Sequence, residues 1–276
     1  QMLCEEIGCV LKVVPMTQDG EMIMEEFDRL LTPKTKIVSI VYISNALGTI
    51  NPIKTITDMA HKKGAVVVVD AAQAVAHVKI DVQTLGCDFL VLSSHKLFGP
   101  TGVGVLYGRN ELLAKMPPLM GGGDMIETVS FEKTTYAKLP NLHEAGTPDI
   151  AGVIGLGAAI DFVRGIGLKK IAAYEAELLD YGTKVLEEVE GLKLIGTAKK
   201  KASVLAFTLD GVHPHDIGSC LDMDGIAIRA GHHCAQPVMQ FYGLPATARA
   251  SLSIYNKKEE LDALAVSLKK IREMFA

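Results

Sequence analysis

The sequence predicts an α/β fold, with a mostly parallel, doubly wound sheet followed by a smaller C-terminal α+β domain. Short apolar runs of strand length alternate with helical patterns through the first half of the chain. This alternation is typical of parallel strands joined by crossover helices. From residue 151 the periodicity becomes helical, and short strands and further helices follow. We therefore expect a large domain over residues 1–164 and a small domain over residues 165–276.

The first half divides into strands and helices at turn signals. Apolar, β-branched runs predict strands, an amphipathic pattern predicts each helix, and Gly64 is expected to end the second helix. Glycine-rich residues 117–147 are predicted to form a hairpin and an interface loop. The predicted elements are a strand at 10–14, a helix at 22–31, a strand at 36–42, a helix at 53–63, and strands at 65–69, 89–92 and 103–107.

The second half carries longer helices and shorter strands. Residues 154–164 are apolar on most faces, whereas the later helices are amphipathic. The predicted helices are 154–164, 171–190, 215–223 and 258–275, and the predicted strands are 192–195, 203–209, 226–229 and 248–253.

Composition excludes several classes of function. The chain has 276 residues, 49% of them hydrophobic, and a formal net charge of −4, which fits a folded domain with a sizeable core. The chain has no dense basic run that would favour binding of nucleic acid. The nearest such run, Lys199–Lys201, is expected to be a solvated loop. No apolar run approaches the ~20 residues of a membrane span, and no signal peptide is visible. We expect a cytoplasmic protein.

Five cysteines without framework spacing indicate a reducing compartment. Four of them are expected to be small structural hydrophobes. Cys234 differs, because it follows Gly-His-His on a polar segment near Arg229, and cationic neighbours favour the thiolate. A zinc site formed by His232, His233 and Cys234 is disfavoured, because adjacent residues point in different directions. No metal is expected.

Polar residues follow two apolar strands where each strand ends. In open α/β sheets ligands bind beyond the carboxyl ends of the strands, so these side chains are expected to converge on one small molecule. An amine and a carboxylate in one crevice are what a pyridoxal phosphate (PLP) site needs. Taken singly, the aspartate would more often form a turn and the lysine would be a solvated charge. The residues are Asp70, Gln73, Ser93, His95 and Lys96.

The motifs DAAQ at 70–73 and SSHKLFGPTG at 93–102 resemble those of class V aminotransferases, specifically the cysteine desulfurases. The motifs SNALGTINP at 44–52, EAGTP at 144–148 and RAGHHCAQP at 229–237 resemble the SufS-type, selenocysteine lyase-like branch. The resemblance runs along the whole chain and implies the fold type I of PLP-dependent transferases. It also implies that the family's N-terminal portion, with a ring-stacking histidine and a phosphate-binding turn, is lacking. Ser94 stands where the family usually has glycine, and little effect is expected from it.

The resemblance implies a cofactor set. Lys96 would carry PLP, Asp70 would pair with the pyridine nitrogen, and Gln73 would contact the phenolic oxygen. Asn45 would lie near that oxygen and the substrate. The implied phosphate ligands are Ser93, His95 and, across a dimer interface, Thr147.

The resemblance also implies a reaction. Arg249 would bind the carboxylate of L-cysteine, Arg229 would be a second active-site arginine, and Cys234 would receive sulfur as a persulfide while L-alanine is formed. Implied partners are L-cysteine or L-selenocysteine, a second subunit in a homodimer, and a sulfur-acceptor protein of iron-sulfur cluster assembly. Two alternatives stay open: a non-catalytic fragment that folds and dimerises, and another class V aminotransferase-like enzyme.

Overall fold

The computed structural model describes residues 1–275, which form two compact units. Unit 1 consists of residues 1–35, 43–52 and 169–275, and unit 2 consists of residues 36–42 and 53–168. These units do not coincide with the predicted large and small domains, because the first 35 residues group with the C-terminal part. The division at residue 164 stays a prediction.

Unit 2 is built on a four-stranded sheet in the order β1-β2-β3-β4. The first three strands are parallel, so the mostly parallel sheet is confirmed. Helix α3 packs against β2 with Ile53, Ile56 and Ala60 buried. The elements are β1 (Ile37–Val41), α3 (Ile53–Lys62), β2 (Val66–Asp70), α4 (Val82–Leu85), β3 (Phe89–Ser93), β4 (Gly104–Gly108), α5 (Asn110–Leu113) and α6 (Ile150–Ile166).

Strand β4 pairs antiparallel with β3. The ten residues between the two strands are fewer than a parallel crossover needs, so the chain can only turn back. They form a short 3₁₀ helix, Ser94–Leu97, followed by a turn in which Phe98 adopts a φ of 61°. A Cβ on Gly99 would lie 2.2 Å from Ser94 Oγ, so the turn requires glycine there.

The glycine-rich segment contains the predicted hairpin. Strands β5 (Ile126–Val129) and β6 (Thr134–Tyr136) pair antiparallel, with Phe131 exposed at the tip. The predicted interface role of this segment stays a prediction.

Unit 1 carries an antiparallel sheet in the order β7-β8-β10-β9. Residues from β8, β10 and three helices form its core, with Phe207, Leu178, Ile217 and Leu268 fully buried. The elements are α1 (Met2–Ile7), α2 (Met24–Leu30), α7 (Leu168–Glu187), β7 (Leu192–Ile195), β8 (Val204–Leu209), α8 (Pro214–Met223), β9 (Arg229–Gly231), α9 (Gln236–Tyr242), β10 (Thr247–Ser251) and α10 (Lys258–Phe275).

Two predicted strands differ from the structure. Residues 10–14 belong to no strand, because a strand needs a partner and Val10, Leu11 and Val13 are instead exposed. The strand predicted at 226–229 is observed as β9, Arg229–Gly231, where its register is set by pairing with β10. Of the helices in the described residues, none alone has the length and apolarity to cross a membrane; α6 and α7 pass that test only together, as a bent pair.

Candidate active site

The carboxyl ends of β2 and β3 bring the predicted cofactor residues of unit 2 to one edge of the sheet. Asp70 is the last residue of β2 and pairs with Val91, two residues before Ser93 ends β3. The 3₁₀ helix that follows carries His95 and Lys96. Because β2 and β3 are parallel, an acid, a hydroxyl, an imidazole and an amine all follow strands at the same edge.

Asp70 breaks the burial pattern of its strand. The preceding valines alternate between half-buried and buried, whereas Asp70 is exposed. Its Oδ1 accepts a hydrogen bond of 2.9 Å from the backbone N–H of Ala72, a local turn of the kind that aspartate favours. The aspartate is therefore a turn former and also presents its carboxylate at the sheet edge.

The residues of this edge differ in exposure. His95 is exposed and Lys96, Ser93 and Gln73 are half-buried. Ser94, between two candidate ligands, is fully buried, and its Oγ has no hydrogen-bond partner in the described part of the chain. Little effect is expected from the sequence of having serine at this position. The sequence does not reveal that the Ser94 hydroxyl is buried, without a hydrogen-bond partner and close to Gly99.

The donor set in unit 2 fits PLP. An amine can hold the aldehyde, an accessible carboxylate can hold the pyridine nitrogen, and Gln73, Ser93 and His95 offer hydrogen-bonding groups for the remaining oxygens. Thr147 is exposed in the segment before α6, whose first turn is capped by Asp149. The individual roles of the cofactor residues stay predictions; these residues are Asp70, Gln73, Ser93, His95, Lys96 and Thr147.

Unit 1 contains the residues predicted to act on the substrate. Cys234 is exposed and lies in the turn between β9 and α9. His233 and Cys234 both adopt left-handed backbone conformations, with φ of 55° and 57°. A cleft of about 500 Å³ is lined by Arg229, His232, His233, Cys234, Gln236 and Pro237.

Arg249 lies opposite Arg229 in the β10–β9 register. Its Nη1 donates to the carbonyl of Asn45, while its buried Nε has no hydrogen-bond partner in residues 1–275. Burial lowers the pKa of Arg249, and the charge of Arg229 lowers it further. Two neighbouring guanidinium groups with an unpaired donor favour an anion such as a carboxylate.

His233 is the residue of this cleft whose contacts the sequence did not reveal. Its ring is 2% exposed, and its Nε2 lies 2.9 Å from Thr247 Oγ1 and 3.1 Å from the Thr247 carbonyl. His232 and Cys234 are exposed. The three side chains therefore differ in exposure, and within residues 1–275 no group of three or more histidine, cysteine or acidic side chains is arranged to hold a metal.

The remaining cysteines follow the prediction only in part. Cys87 is buried and Cys220 is half-buried, as small hydrophobes are. Cys9 is exposed, contrary to the prediction, and its Sγ lies 3.3 Å from Cys4 Sγ. The left-handed Gly8 after α1 turns the chain back and brings the two thiols together.

Comparisons with known proteins agree with the resemblance seen in the sequence. The chain is 52% identical over 272 residues to a cysteine desulfurase of Synechococcus elongatus, covering 99% of this chain and 44% of the relative. It is 50% identical to a probable cysteine desulfurase of Halalkalibacterium halodurans, covering all of this chain and 68% of the relative. The chain thus spans less than half of the first relative and about two thirds of the second.

Solved structures share the fold. A crystal structure of a cysteine desulfurase from Escherichia coli superposes with a TM-score of 0.95 at 36% identity, covering 100% of this chain and 68% of that one. A cysteine desulfurase from Thermococcus onnurineus gives the same TM-score and identity, covering 99% of this chain and 68% of that one. The expected fold type I of PLP-dependent transferases is confirmed. The family model for class-V aminotransferases matches residues 1–264, and the chain therefore belongs to that family.

Proposed function

We propose that this protein is a PLP-dependent cysteine desulfurase, which converts L-cysteine to L-alanine and leaves the sulfur on Cys234 as a persulfide. The observation that carries the proposal is the cleft in unit 1, where an exposed cysteine lies beside Arg229 and near Arg249. The names of the relatives support it, since they are cysteine desulfurases or probable ones.

The cofactor would be held by residues of unit 2. Lys96 would bind it covalently, Asp70 would accept a hydrogen bond from the pyridine nitrogen and keep that nitrogen protonated, and Gln73 would contact the phenolic oxygen. When bound, PLP supplies an electron sink that stabilises negative charge on the α-carbon of an amino acid. The amine of Lys96 would take the α-proton of the substrate and return it as alanine forms. The proposed phosphate ligands are Ser93, His95 and Thr147.

Arg249 would bind the substrate carboxylate. Its Nη1 already donates to Asn45, which fixes the plane of the guanidinium, and its Nε is the donor that lacks a partner. Arg229, opposite it in the sheet, adds a second positive charge at the same end of the strand pair. A fixed guanidinium orients a carboxylate better than a flexible ammonium group does.

Cys234 would take the sulfur as a thiolate. Its Sγ attacks the sulfur of L-cysteine, an S–S bond forms and the substrate C–S bond breaks. The electron pair of the broken bond stays with the substrate carbon, which takes up a proton and becomes the methyl group of L-alanine. The products are one alanine and one cysteine persulfide, so atoms and electrons balance without an added oxidant.

The partners and the compartment are proposed on the resemblance. They are a second subunit in a homodimer, a sulfur-acceptor protein of iron-sulfur cluster assembly, L-selenocysteine as an alternative substrate, and the cytoplasm. One structural observation supports the homodimer. Helix α6 exposes five large apolar side chains next to the segment that carries Thr147, namely Ile150, Val153, Ile154, Ile160 and Phe162. Exposed apolar patches of this kind are typical of subunit contacts.

The first test is fixation of the cofactor. PLP is added to the purified protein, the mixture is reduced with borohydride, and the modified lysine is mapped by mass spectrometry. We expect the label on Lys96, and none at that peptide in Lys96→Ala. Exposed Lys62 gives a matched control, because Lys62→Ala should leave the labelling unchanged. Label absent from Lys96 would favour the non-catalytic alternative.

The second test is product analysis with L-cysteine as substrate. One alanine per sulfur released is expected from protein that has been loaded with PLP and not treated with borohydride. Keto acid or an amino-group transfer product instead of alanine would favour another class V aminotransferase-like enzyme.

A further inference from the structure

The turn that carries Cys234 has an unfavourable backbone. His233 and Cys234 are consecutive non-glycine residues with left-handed φ angles. Residues with a side chain avoid this region because Cβ crowds the backbone, and two in succession persist only where surrounding contacts hold them. The conformation of Cys234 therefore depends on what anchors the turn.

The anchors converge on His233. Its imidazole is buried against β10, where Nε2 faces both the carbonyl and the hydroxyl of Thr247. Its backbone carbonyl accepts a hydrogen bond from Nδ2 of Asn45. Thr247 is fully buried and pairs with Gly231 in the sheet, so the ring is tied to the same strand pair from which the turn starts.

The protonation state of the ring follows from these partners. A carbonyl oxygen only accepts and the hydroxyl of Thr247 can also accept, so these partners favour the tautomer with the hydrogen on Nε2, which leaves Nδ1 bare. Nδ1 is buried and has no hydrogen-bond partner within residues 1–275. Burial, together with the positive charges of Arg249 and Arg229, lowers the pKa of His233 to about 4, against the hydrogen bond with Thr247. The ring is thus neutral at neutral pH.

The residues on either side of the anchor are exposed. His232 and Cys234 are exposed in the cleft, whereas His233, which also contributes to the cleft lining, is buried. Fixing the central ring therefore fixes the direction in which the Cys234 thiol leaves the turn. The backbone hydrogen bond from Ala235 N–H to the carbonyl of His232, 2.9 Å long, closes the turn around the anchored residue.

We propose that His233 is the positioning residue of Cys234: its neutral Nε2–H, bonded to Thr247, holds the strained turn that presents the thiol in the cleft. The proposal rests on the proposed function only in assigning Cys234 the task of accepting sulfur. The anchoring itself is a property of unit 1 and can be measured without cofactor or substrate.

Hydrogen exchange followed by mass spectrometry tests the anchoring in the purified protein. In His233→Leu, which keeps a buried apolar side chain but loses the donor, amides of residues 232–235 should exchange about tenfold faster, the range expected for one lost buried hydrogen bond. Amides of β8 should keep their rates. His233→Gln, whose amide can donate to the Thr247 carbonyl, should recover most of the protection.

Two further variants keep the test decisive. Thr247→Val removes only the hydroxyl, so a smaller, roughly two- to fivefold acceleration confined to the turn is expected. Exposed His215 gives the matched control, and His215→Gln should change nothing in the turn. Unchanged exchange in residues 232–235 of His233→Leu, or an equal rise throughout unit 1, would overturn the proposal.

A spectroscopic measurement tests the tautomer directly. In ¹⁵N spectra of the imidazole nitrogens, His233 should show a neutral ring protonated on Nε2 from pH 8 to pH 5. A ring protonated on Nδ1, or one that titrates near pH 6.5, would refute the anchor. If the anchoring tests succeed and no alanine is formed from L-cysteine, the proposed function fails while the positioning of Cys234 by His233 stands.

Discussion

Replacement of Asp88 by alanine should destabilise unit 2 by about 3 kcal/mol, because this carboxylate joins the strands whose ends carry the proposed cofactor residues. Asp88 lies directly before β3 and is 5% exposed. Its Oδ2 accepts from the backbone N–H of Val67 in β2 at 2.7 Å and lies 2.8 Å from Nε2 of His61 on α3. Its Oδ1 lies 3.2 Å from Nε of Arg109, just after β4.

The magnitude follows from the burial of each partner. Val67 is fully buried, so its N–H would lose its acceptor in a place that water does not reach, which costs about 1–3 kcal/mol. The side chains of His61 and Arg109 are 34% and 38% exposed, so each ion pair contributes only about 0.5 kcal/mol. Asp88→Asn keeps an acceptor for Val67 and should cost about 1–2 kcal/mol.

Urea unfolding of the two variants, followed by far-ultraviolet circular dichroism, measures both free energies. We expect Asp88→Ala to lower the urea midpoint at an unchanged slope. The midpoint of Asp88→Asn should lie between those of Asp88→Ala and the unsubstituted protein. A loss below about 1 kcal/mol for Asp88→Ala would refute the view that this carboxylate ties β2 to β3. Equal losses for both variants would show that charge, and not the bond to Val67, is what matters. Exposed Asp161 on α6 offers a matched control, since Asp161→Ala should have little effect.

Four further outcomes follow from the structure. Ser94→Ala removes a buried, unpaired hydroxyl and should raise the free energy of unfolding by about 1 kcal/mol; a clear loss in the same urea assay would mean that the hydroxyl has a partner. Arg249→Lys should raise KM for L-cysteine about ten- to hundredfold, with a smaller change in kcat, and an unchanged KM would contradict carboxylate binding by this residue. The pKa of His233 is lowered in the folded state, so the imidazole of the unfolded chain takes up a proton first as the pH falls. The free energy of unfolding should therefore stay constant above about pH 7. It should fall by up to about 1 kcal/mol per pH unit between pH 6 and pH 4. That acid-side loss should shrink in His233→Gln, and identical pH profiles would count against a buried neutral ring. Cys234→Ala should spare cleavage of L-selenocysteine more than desulfuration of L-cysteine, because selenium leaves more readily, and equal loss on both substrates would exclude Cys234 as the sulfur acceptor.

The strands of unit 2 can be predicted from short stretches of the sequence. Valine runs with β-branched side chains predict the strands, and the polar residue that ends each run marks the edge at which Asp70 and Lys96 lie. Short-range rules suffice there because parallel strands share a carboxyl edge whatever the detailed packing is. The same rules failed at residues 10–14, where the β-branched pattern is present but no neighbouring strand pairs with it.

Only some of the residues around the cleft of Cys234 could be predicted from the sequence. Arg229 and Cys234 are five residues apart and stand out together by composition. Asn45 and Arg249 could be assigned only through the resemblance to a family. No sequence pattern marks Thr247, and His233 stands out in the sequence only as a candidate metal ligand, because nothing in the neighbouring residues indicates that its ring is buried.

By itself the sequence determined the α/β class, the strand ends at which the proposed cofactor residues lie and the polar segment that carries Cys234, because each of these depends on residues close together in the chain. The tertiary structure alone decided how Asn45, His233 and Arg249 form one hydrogen-bonded cluster across 204 residues of chain. It also decided that β9 pairs at Arg229 to Gly231 and not earlier. Such contacts depend on strand register and on which segments fold back onto each other, and these are set by packing over the whole unit and not by any local pattern.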